Sequence, residues 1–378
     1  MIYTLKQFDI PLCRFFASED SSIPEIRIEW VNEEKRNLLP LDLTLTEEGL
    51  RSWLKHRSIP KNRAYVQNFL SKCGLSLNRP MNIIRVSKGL SLNDCYWVTE
   101  EAFDGSFDNY NLYENRFSRV LALIAFTGYG SSIRTSLESC PEFTTSGMLP
   151  KCWRRVDGKI KLYKGGTKGA ANTGNEPYSE FYAAQIAEVM GQNAINYNLS
   201  KWKGELCSTC ELFTDKRYSF MPVGRIVKSG GMQAVQEFYS KLGAEFVSAL
   251  NDMLVFDAII CNTDRHFGNF GFMVDNETNL IAAPAPLFDH GNSLLNYAMD
   301  TDLNSDKAME GYVSTLMPCV YDDFMEAAAS VMENRQREAL RKLLELRFKK
   351  HSRYNLPDKR LKAIETMIHK RAAQLLEK

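Results

Sequence analysis

The sequence predicts an α+β protein of two or three domains, and three observations carry that reading. The chain has 378 residues, room for more than one core at roughly 100–200 residues per domain. Strand pairs come first and helices later, without the alternation that marks a parallel α/β sheet. Hydrophobic residues make up 44% and charged residues 25%, a globular balance that excludes disordered, collagen-like and small disulfide-stapled classes.

In chain order, residues 1–80 mix short segments with turn signals such as Ile59-Pro60 and Asn78-Arg79-Pro80. Residues 82–99 place β-branched and aromatic runs around Lys88-Gly89 and predict strands joined by a turn. Residues 113–126 predict a helix, because Phe117, Val120, Leu121 and Ile124 recur at helical spacing before a break at 128–132. Residues 141–165 predict strand, turn and strand, with Asp157-Gly158 as the hairpin turn. Lys151, Arg154 and Arg155 then read as a solvated hairpin edge. Residues 176–190 predict a helix opened by Glu176-Pro177 and closed by Gly191. A strand around a turn is expected at 211–223 and an apolar helix at 244–260. Two amphipathic helices follow, at about 322–349 and 357–377, split by Leu356-Pro357. Trp53, Tyr96 and Trp97 read as core.

The net charge of +1, from 47 Lys/Arg against 46 Asp/Glu, gives no global field toward nucleic acid or membrane. The total hides an asymmetry. Residues 335–378 hold fourteen Lys/Arg and five Asp/Glu, a tail of +9 on a body of −8. Its helices carry apolar stripes (Leu340, Leu343, Leu344; Leu361, Ile364, Ile368), so the charges read as a solvated outer face in preference to a nucleic-acid surface. No apolar run approaches the roughly 18 residues of a membrane helix. The N-terminus lacks the basic-then-apolar pattern of a secretory signal. Nine scattered cysteines read as reduced thiols and a cytoplasmic location. The one close pair, Cys207 and Cys210, reads as two thiols near a strand or turn, since a structural zinc takes four ligands.

The sharpest chemical signal is Cys261-Asn262-Thr263-Asp264-Arg265-His266-Phe267-Gly268-Asn269-Phe270-Gly271. Asp264 and Asn269 have the five-residue spacing of a phosphoryl-transfer loop, in which a carboxylate orients the attacking hydroxyl and a neutral oxygen ligand helps hold a hard cation. Arg265 and His266 read as supporting groups of that loop. Twenty residues on, Phe288-Asp289-His290-Gly291 offers a second metal carboxylate, Asp289, with Gly291 expected to let the chain turn sharply beside it. Each motif is weak alone, and their order and separation make the pair strong. Upstream, Thr144-Thr145-Ser146-Gly147 forms a small loop suited to phosphate. Strand alternation sets Lys164 on one face with Ile160 and Leu162, and Lys161 on the other as its competitor. Glu180, on a helical stripe with Ala183, Ala184 and Ala187, is the expected ion-pair partner of Lys164, with Glu176 second.

This set resembles the HipA-like kinases, bacterial serine/threonine protein kinases many of which are toxins of toxin–antitoxin systems. The resemblance covers residues 140–300 and, more loosely, the helical tail. It implies a two-lobed protein-kinase-like fold: an additional N-terminal domain of unassigned role over 1–112, a small lobe over 113–225 and a helical lobe over 226–378. It implies ATP and Mg²⁺ as cofactors, Asp264 as catalytic, Asn269 and Asp289 as metal ligands, and Lys164, Glu180, Ser146 and Gly147 at the nucleotide. It further implies a protein substrate with a Ser/Thr hydroxyl, an antitoxin or regulatory protein as partner, and autophosphorylation near Thr144, with Thr145 and Ser146 as the other acceptors. The hinge that receives adenine is expected within Glu211–Met221. Two other readings stay open. The same scaffold serves small-molecule kinases, lipid kinases and adenylyl transferases, and it serves non-catalytic pseudokinase binding modules.

Overall fold

The computed structural model describes residues 1–130 and 140–378; the break expected at 128–132 lies partly outside them. Eleven strands are found among the described residues: β1 (Ile2–Gln7), β2 (Ile10–Ala17), β3 (Ile26–Val31), β4 (Tyr96–Glu100), β5 (Lys151–Val156), β6 (Lys159–Gly165), β7 (Asn198–Trp202), β8 (Glu205–Glu211), β9 (Tyr218–Pro222), β10 (Gly271–Asp275) and β11 (Leu280–Pro284). The chain forms two compact units. The first comprises Met1–Lys164, Glu211–Met221 and Met273–Ala282; the second comprises Gly165–Cys210, Pro222–Phe272 and Ala283–Lys378.

The first unit begins with an antiparallel sheet in the order β3-β2-β1-β4. Along β1 every second side chain (Tyr3, Leu5, Gln7) turns inward, the period of a half-buried strand. That face packs with Leu12, Phe15, Leu50, Trp53 and Tyr96 into one cluster, each large apolar side chain contributing roughly 1.5–3 kcal/mol on burial. Trp53 meets Tyr96 edge-on at 6.3 Å, and the Arg57 guanidinium lies 4.2 Å from the Trp53 ring. Arg57 also makes a two-pronged pair with Asp94, both contacts 2.9 Å. The three aromatics are core, as expected.

One expectation fails just before β4. Residues 80–87 form a helix, Pro80–Ser87, and not a strand. Pro80 suits the first helical turn. Met81, Ile83 and Ile84 are buried, so tertiary packing outweighs the β-preference of isoleucine. Lys88, left-handed at φ 53°, ends it. The helix expected at 113–126 is also shorter, Arg119–Thr127, with the Ser118 hydroxyl accepting from Leu121 N. The β5–β6 hairpin forms with the predicted turn, Lys151 opposite Lys164 and Val156 opposite Lys159, but its first strand starts only at Lys151, and Pro141–Phe143 is a 3-10 turn and not strand. Asp157 (φ 54°) and Gly158 (φ 76°) make its turn, the two left-handed residues a tight hairpin needs.

The solvated edge expected of this hairpin is corrected. Lys151 is buried. Arg154 lies 4.6 Å over the Tyr163 ring. Arg155 donates to the carbonyls of Leu112, Tyr113 and Asn115. These side chains anchor the hairpin, using fixed donors that a solvated edge would leave to water.

In the second unit, β7 and β8 pair antiparallel. Cys207 and Cys210 both lie on β8, and three residues along a strand point to opposite faces. The helix Glu176–Met190 ends at Gly191 as predicted. The helix Ala244–Ile260 is buried at every position from Met253 to Ile260, the pattern of a helix surrounded by core. Helix Phe324–Val331 packs against it, and helix Asp358–Glu377 packs against both it and Asn334–Leu343.

The single helix expected at 322–349 is thus two, Phe324–Val331 and Asn334–Leu343. Glu333 and Gln336 form a reciprocal capping box that starts the second. Much of the basic tail is spent internally: Arg347 pairs with Glu365, Lys350 with Asp358, Lys370 with Asp306 and Glu310, and Arg335 with Asp252. Among the described residues no helix is long and apolar enough to cross a membrane.

Candidate active site

The Asp264–Asn269 motif is built from the buried end of helix Ala244–Ile260. That end carries Asp257 into the core, and Cys261, left-handed at φ 53°, terminates the helix with its N–H returned to Asp257 O. The loop then folds around one guanidinium. Arg265 Nε donates to Asp257 Oδ2 at 2.8 Å and Nη2 to Oδ1 at 3.0 Å. Nη1 donates to the carbonyls of Asn269 (3.1 Å) and Phe288 (2.5 Å), and Nη2 reaches His290 Nδ1 at 3.0 Å. All five N–H groups of the fork are used. Arg265 is 1% exposed. Burial works against its charge, but the Asp257 carboxylate outweighs burial and holds the guanidinium above its ordinary pKa. One cation therefore ties the Asp264–Asn269 loop to both residues that flank Asp289.

Within the loop, Asp264 N donates to Asn262 Oδ1, and Asn269 Nδ2 donates to Asp264 O at 3.0 Å. With its amide nitrogen committed, Asn269 presents its oxygen as the atom that could act as an acceptor or ligand. The Asp264 carboxylate itself accepts from Asn292 Nδ2 at 3.0 Å. Thr263 N donates to Asn292 O at 3.0 Å, so Asn292 grips the loop by backbone and side chain. His266 Nδ1 accepts from Gly268 N at 3.0 Å, a loop-shaping contact. Gly224 lies beneath this loop, its N–H donating to Phe267 O at 2.9 Å. A Cβ on Gly224 would come within 2.8 Å of Phe267 Cβ, so only glycine allows that approach.

The segment around Asp289 differs from expectation in one respect. The left-handed residue of this turn is Asp289 itself (φ 57°), whereas the sequence assigned that role to Gly291. Asp can take this conformation at modest cost, and the Asp289 N–H is fixed by donation to the Tyr197 hydroxyl at 3.1 Å. Burial, then the nearby Glu180 carboxylate, push the Tyr197 hydroxyl well above its usual pKa. Gly291 is buried in the turn that follows.

Helix Glu176–Met190 meets this segment with the face that its i, i+3, i+4 positions share. Glu180 Oε2 accepts from His290 N at 2.8 Å, and Ser179 Oγ donates to Ser293 O at 2.8 Å. Glu176 Oε1 accepts from the Tyr297 hydroxyl (2.9 Å) and from the hydroxyl (2.6 Å) and N–H of Thr167. Leu294 (φ 52°) and Leu295 (φ 58°), both left-handed, follow. Arg360 holds the chain there by donating to the carbonyls of Leu295, Asn296 and Ala298.

The other predicted residues belong to the first unit. Lys164 is buried on β6 while Lys161 is half-buried. At the loop before β5, Gly147 has φ 88°, and Lys151 Nζ donates to Ser146 O at 2.9 Å. A Cβ on Gly147 would stand 2.2 Å from that ammonium. The Thr144 hydroxyl donates to Leu90 O at 2.8 Å and the Thr145 hydroxyl to Pro141 O at 2.7 Å. Ser146 is exposed. Sequence reasoning missed Asn292, Asp257, Gly224, Tyr197 and Arg360. Of these only Asn292 carried a signal, its place one residue past Asp289-His290-Gly291.

Asp289 and Asn269 Oδ1 offer hard oxygen donors, the type a divalent cation such as Mg²⁺ takes, so the donor chemistry of these two residues fits such an ion.

No family model and no curated protein matches the sequence. Among solved structures, the Helicobacter pylori proinflammatory kinase CtkA matches 62% of this chain and 90% of its own at 16% identity and TM-score 0.49. HipA of the Shewanella oneidensis MR-1 toxin–antitoxin system, solved with HipB and its operator DNA, matches 98% of this chain and 97% of its own at 14% identity and TM-score 0.54. A match over 98% of the chain extends into residues 1–112, beyond the likeness read from the sequence. The chain is therefore an α+β protein with a HipA-like kinase fold.

Proposed function

We propose that the protein is an ATP- and Mg²⁺-dependent serine/threonine protein kinase of HipA-like type. The observation that carries this reading is the fixed geometry of the Asp264–Asn269 loop: its carboxylate is oriented by Asn292, its amide by Asp264 O, and the whole is tied to Phe288 and His290 by Arg265. Phosphoryl transfer asks the protein mainly for positioning and charge placement, and these bonds supply the first.

In the mechanism, Asp264 accepts a hydrogen bond from the substrate hydroxyl and aims its oxygen at the γ-phosphate. Asn269 and Asp289 would hold Mg²⁺, which would supply charge neutralisation for the phosphates. Lys164 and the Ser146-Gly147 turn are assigned to the nucleotide phosphates by the family likeness, and Glu180 is assigned the supporting acid's role by the same likeness. Arg265 and His266 support the loop. By the same family likeness, Thr144, Thr145 and Ser146 are candidate autophosphorylation acceptors, and Ser146 has the exposed hydroxyl. An antitoxin-type protein is proposed as partner, on the likeness to a HipA solved with HipB and operator DNA. The functional division at residues 112 and 225 and the hinge within Glu211–Met221 belong to this same proposal.

Incubation with ATP labelled on the γ- or the α-phosphate tests the reaction class. Label from the γ-position alone on Ser/Thr supports the reading. Label from the α-position assigns adenylyl transfer instead, γ-label on a small molecule or lipid alone assigns a kinase of that class, and no transfer to any acceptor assigns a binding module.

A further inference from the structure

The loop Thr144–Gly147 is not held by the hairpin it opens alone. Arg63, from the N-terminal 112 residues that no motif explains, is 3% exposed and donates to three carbonyls around the loop. Nη1 reaches Glu142 O at 2.6 Å and Thr145 O at 3.2 Å, and Nη2 reaches Lys151 O at 2.8 Å. Its neighbour Ala64 donates N–H to Met148 O at 2.8 Å. Residues 63–64 thus collect four carbonyls spaced three residues apart, at 142, 145, 148 and 151. From the hairpin side, Trp153 N donates to Glu142 Oε1 (2.9 Å), Trp153 Nε1 to Thr145 Oγ1 (3.0 Å), and Lys151 Nζ to Ser146 O (2.9 Å).

A loop whose carbonyls are gathered by cationic donors on one side cannot turn those carbonyls toward an anion. The alternative, carbonyl oxygens facing phosphate oxygens, is repulsive. A guanidinium suits the task, because its planar fork meets several fixed acceptors in a pre-organised geometry that a flexible ammonium lacks.

We infer that Arg63 is a positioning residue for nucleotide binding: the N-terminal segment around residues 63–64 holds the Thr144–Gly147 loop in its phosphate-accepting form. This rests on the reading of that loop as the phosphate loop. It gives part of the N-terminal region a role within the transfer reaction itself.

The test compares Arg63→Lys and Arg63→Met with wild type and with Gly147→Val, using ATP as the probe. Arg63→Met is expected to raise the KM for ATP by about tenfold or more with a smaller change in kcat. Arg63→Lys should recover part of that loss, and amide exchange at residues 142–151 should quicken in the Met variant without nucleotide. Because Arg63→Met can also lower stability, melting temperature and the active fraction are measured alongside. A lower melting temperature with KM and loop exchange unchanged makes Arg63 merely structural and overturns the inference. If Gly147→Val itself leaves the KM for ATP unchanged, the phosphate-loop reading fails, and the inference falls with it. If Gly147→Val raises KM while Arg63→Met does not, the inference alone fails.

Discussion

Replacing Arg265 by Met should cost stability and activity by separable routes. The side chain is fully buried and its five N–H groups meet five acceptors, two of them on the Asp257 carboxylate, itself fully buried. Arg265→Met leaves that carboxylate buried and without its cation, a loss of about 3–5 kcal/mol for a broken buried pair. Asp257→Asn in the same chain removes the stranded charge, and the double variant should recover about 2 kcal/mol of it. Activity should not return with stability. In both variants the carbonyls of Asn269 and Phe288 lose their common donor, so the Asp264 loop is no longer tied to Asp289. A misplacement of about 1 Å at a reacting group is worth roughly 10²-fold in rate. Urea melts of the three proteins give the stability differences, and γ-phosphate transfer under saturating ATP gives the rates. A single variant within about 1 kcal/mol of wild type would contradict the buried-pair account. A double variant that regains full transfer would contradict the positioning account.

Other outcomes follow from the same geometry. Asn292→Ala removes the donor 3.0 Å from Asp264 Oδ2 and should lower kcat with little change in KM for ATP. Asn292→Asp sets a second carboxylate there, and such a pair holds a proton to higher pH than a lone one, so the acid limb of the pH–rate profile should move upward. Glu142 is fully buried, and burial raises its carboxyl above the ordinary value of 4.5. Its protonated form is thus favoured by folding, and its contribution is present below that ordinary value and lost as pH rises through the folded value. Glu142→Gln keeps the acceptor for Trp153 N and should stabilise the protein relative to wild type increasingly with pH, read as a melting-temperature difference between pH 5 and pH 8. Burial pushes the Cys13 and Cys73 thiols to about 11, so iodoacetamide at neutral pH should label them only after denaturation, as peptide mass spectrometry would record.

The sequence made the local parts of this protein legible. The Asp157-Gly158 hairpin, the helix from Glu176 to Met190 and the helix Ala244–Ile260 follow from short-range turn chemistry, Pro and Gly punctuation and periodicity. The five-residue spacing of Asp264 and Asn269 is a local pattern and so readable, while Asp289, twenty residues beyond Asn269, was singled out only by the order of the two motifs. What was not readable depends on contacts far apart in the chain. The isoleucines of Pro80–Ser87 look β-like until it is known that Ile84 is buried in the first sheet's core and Ile83 in a second cluster with Phe69 and Leu121. Lys151, Arg154 and Arg155 look solvated because nothing in their neighbourhood names the carbonyls and rings they reach. Asn292 is 28 residues from the carboxylate it orients, and Arg63 is 79 to 88 from two of the carbonyls it gathers. Asp289 took the left-handed turn expected of Gly291 because a donor to Tyr197 fixes its backbone, a determinant no dipeptide rule contains.

The central claim is that Asp264 orients an acceptor hydroxyl for attack on ATP. The most direct measurement is single-turnover transfer of the γ-phosphate by wild type and Asp264→Asn at matched ATP occupancy, with occupancy checked by equilibrium nucleotide binding. The account predicts unchanged nucleotide binding and a transfer rate lower by about 10³-fold or more in the variant. Equal transfer rates at equal occupancy would contradict it.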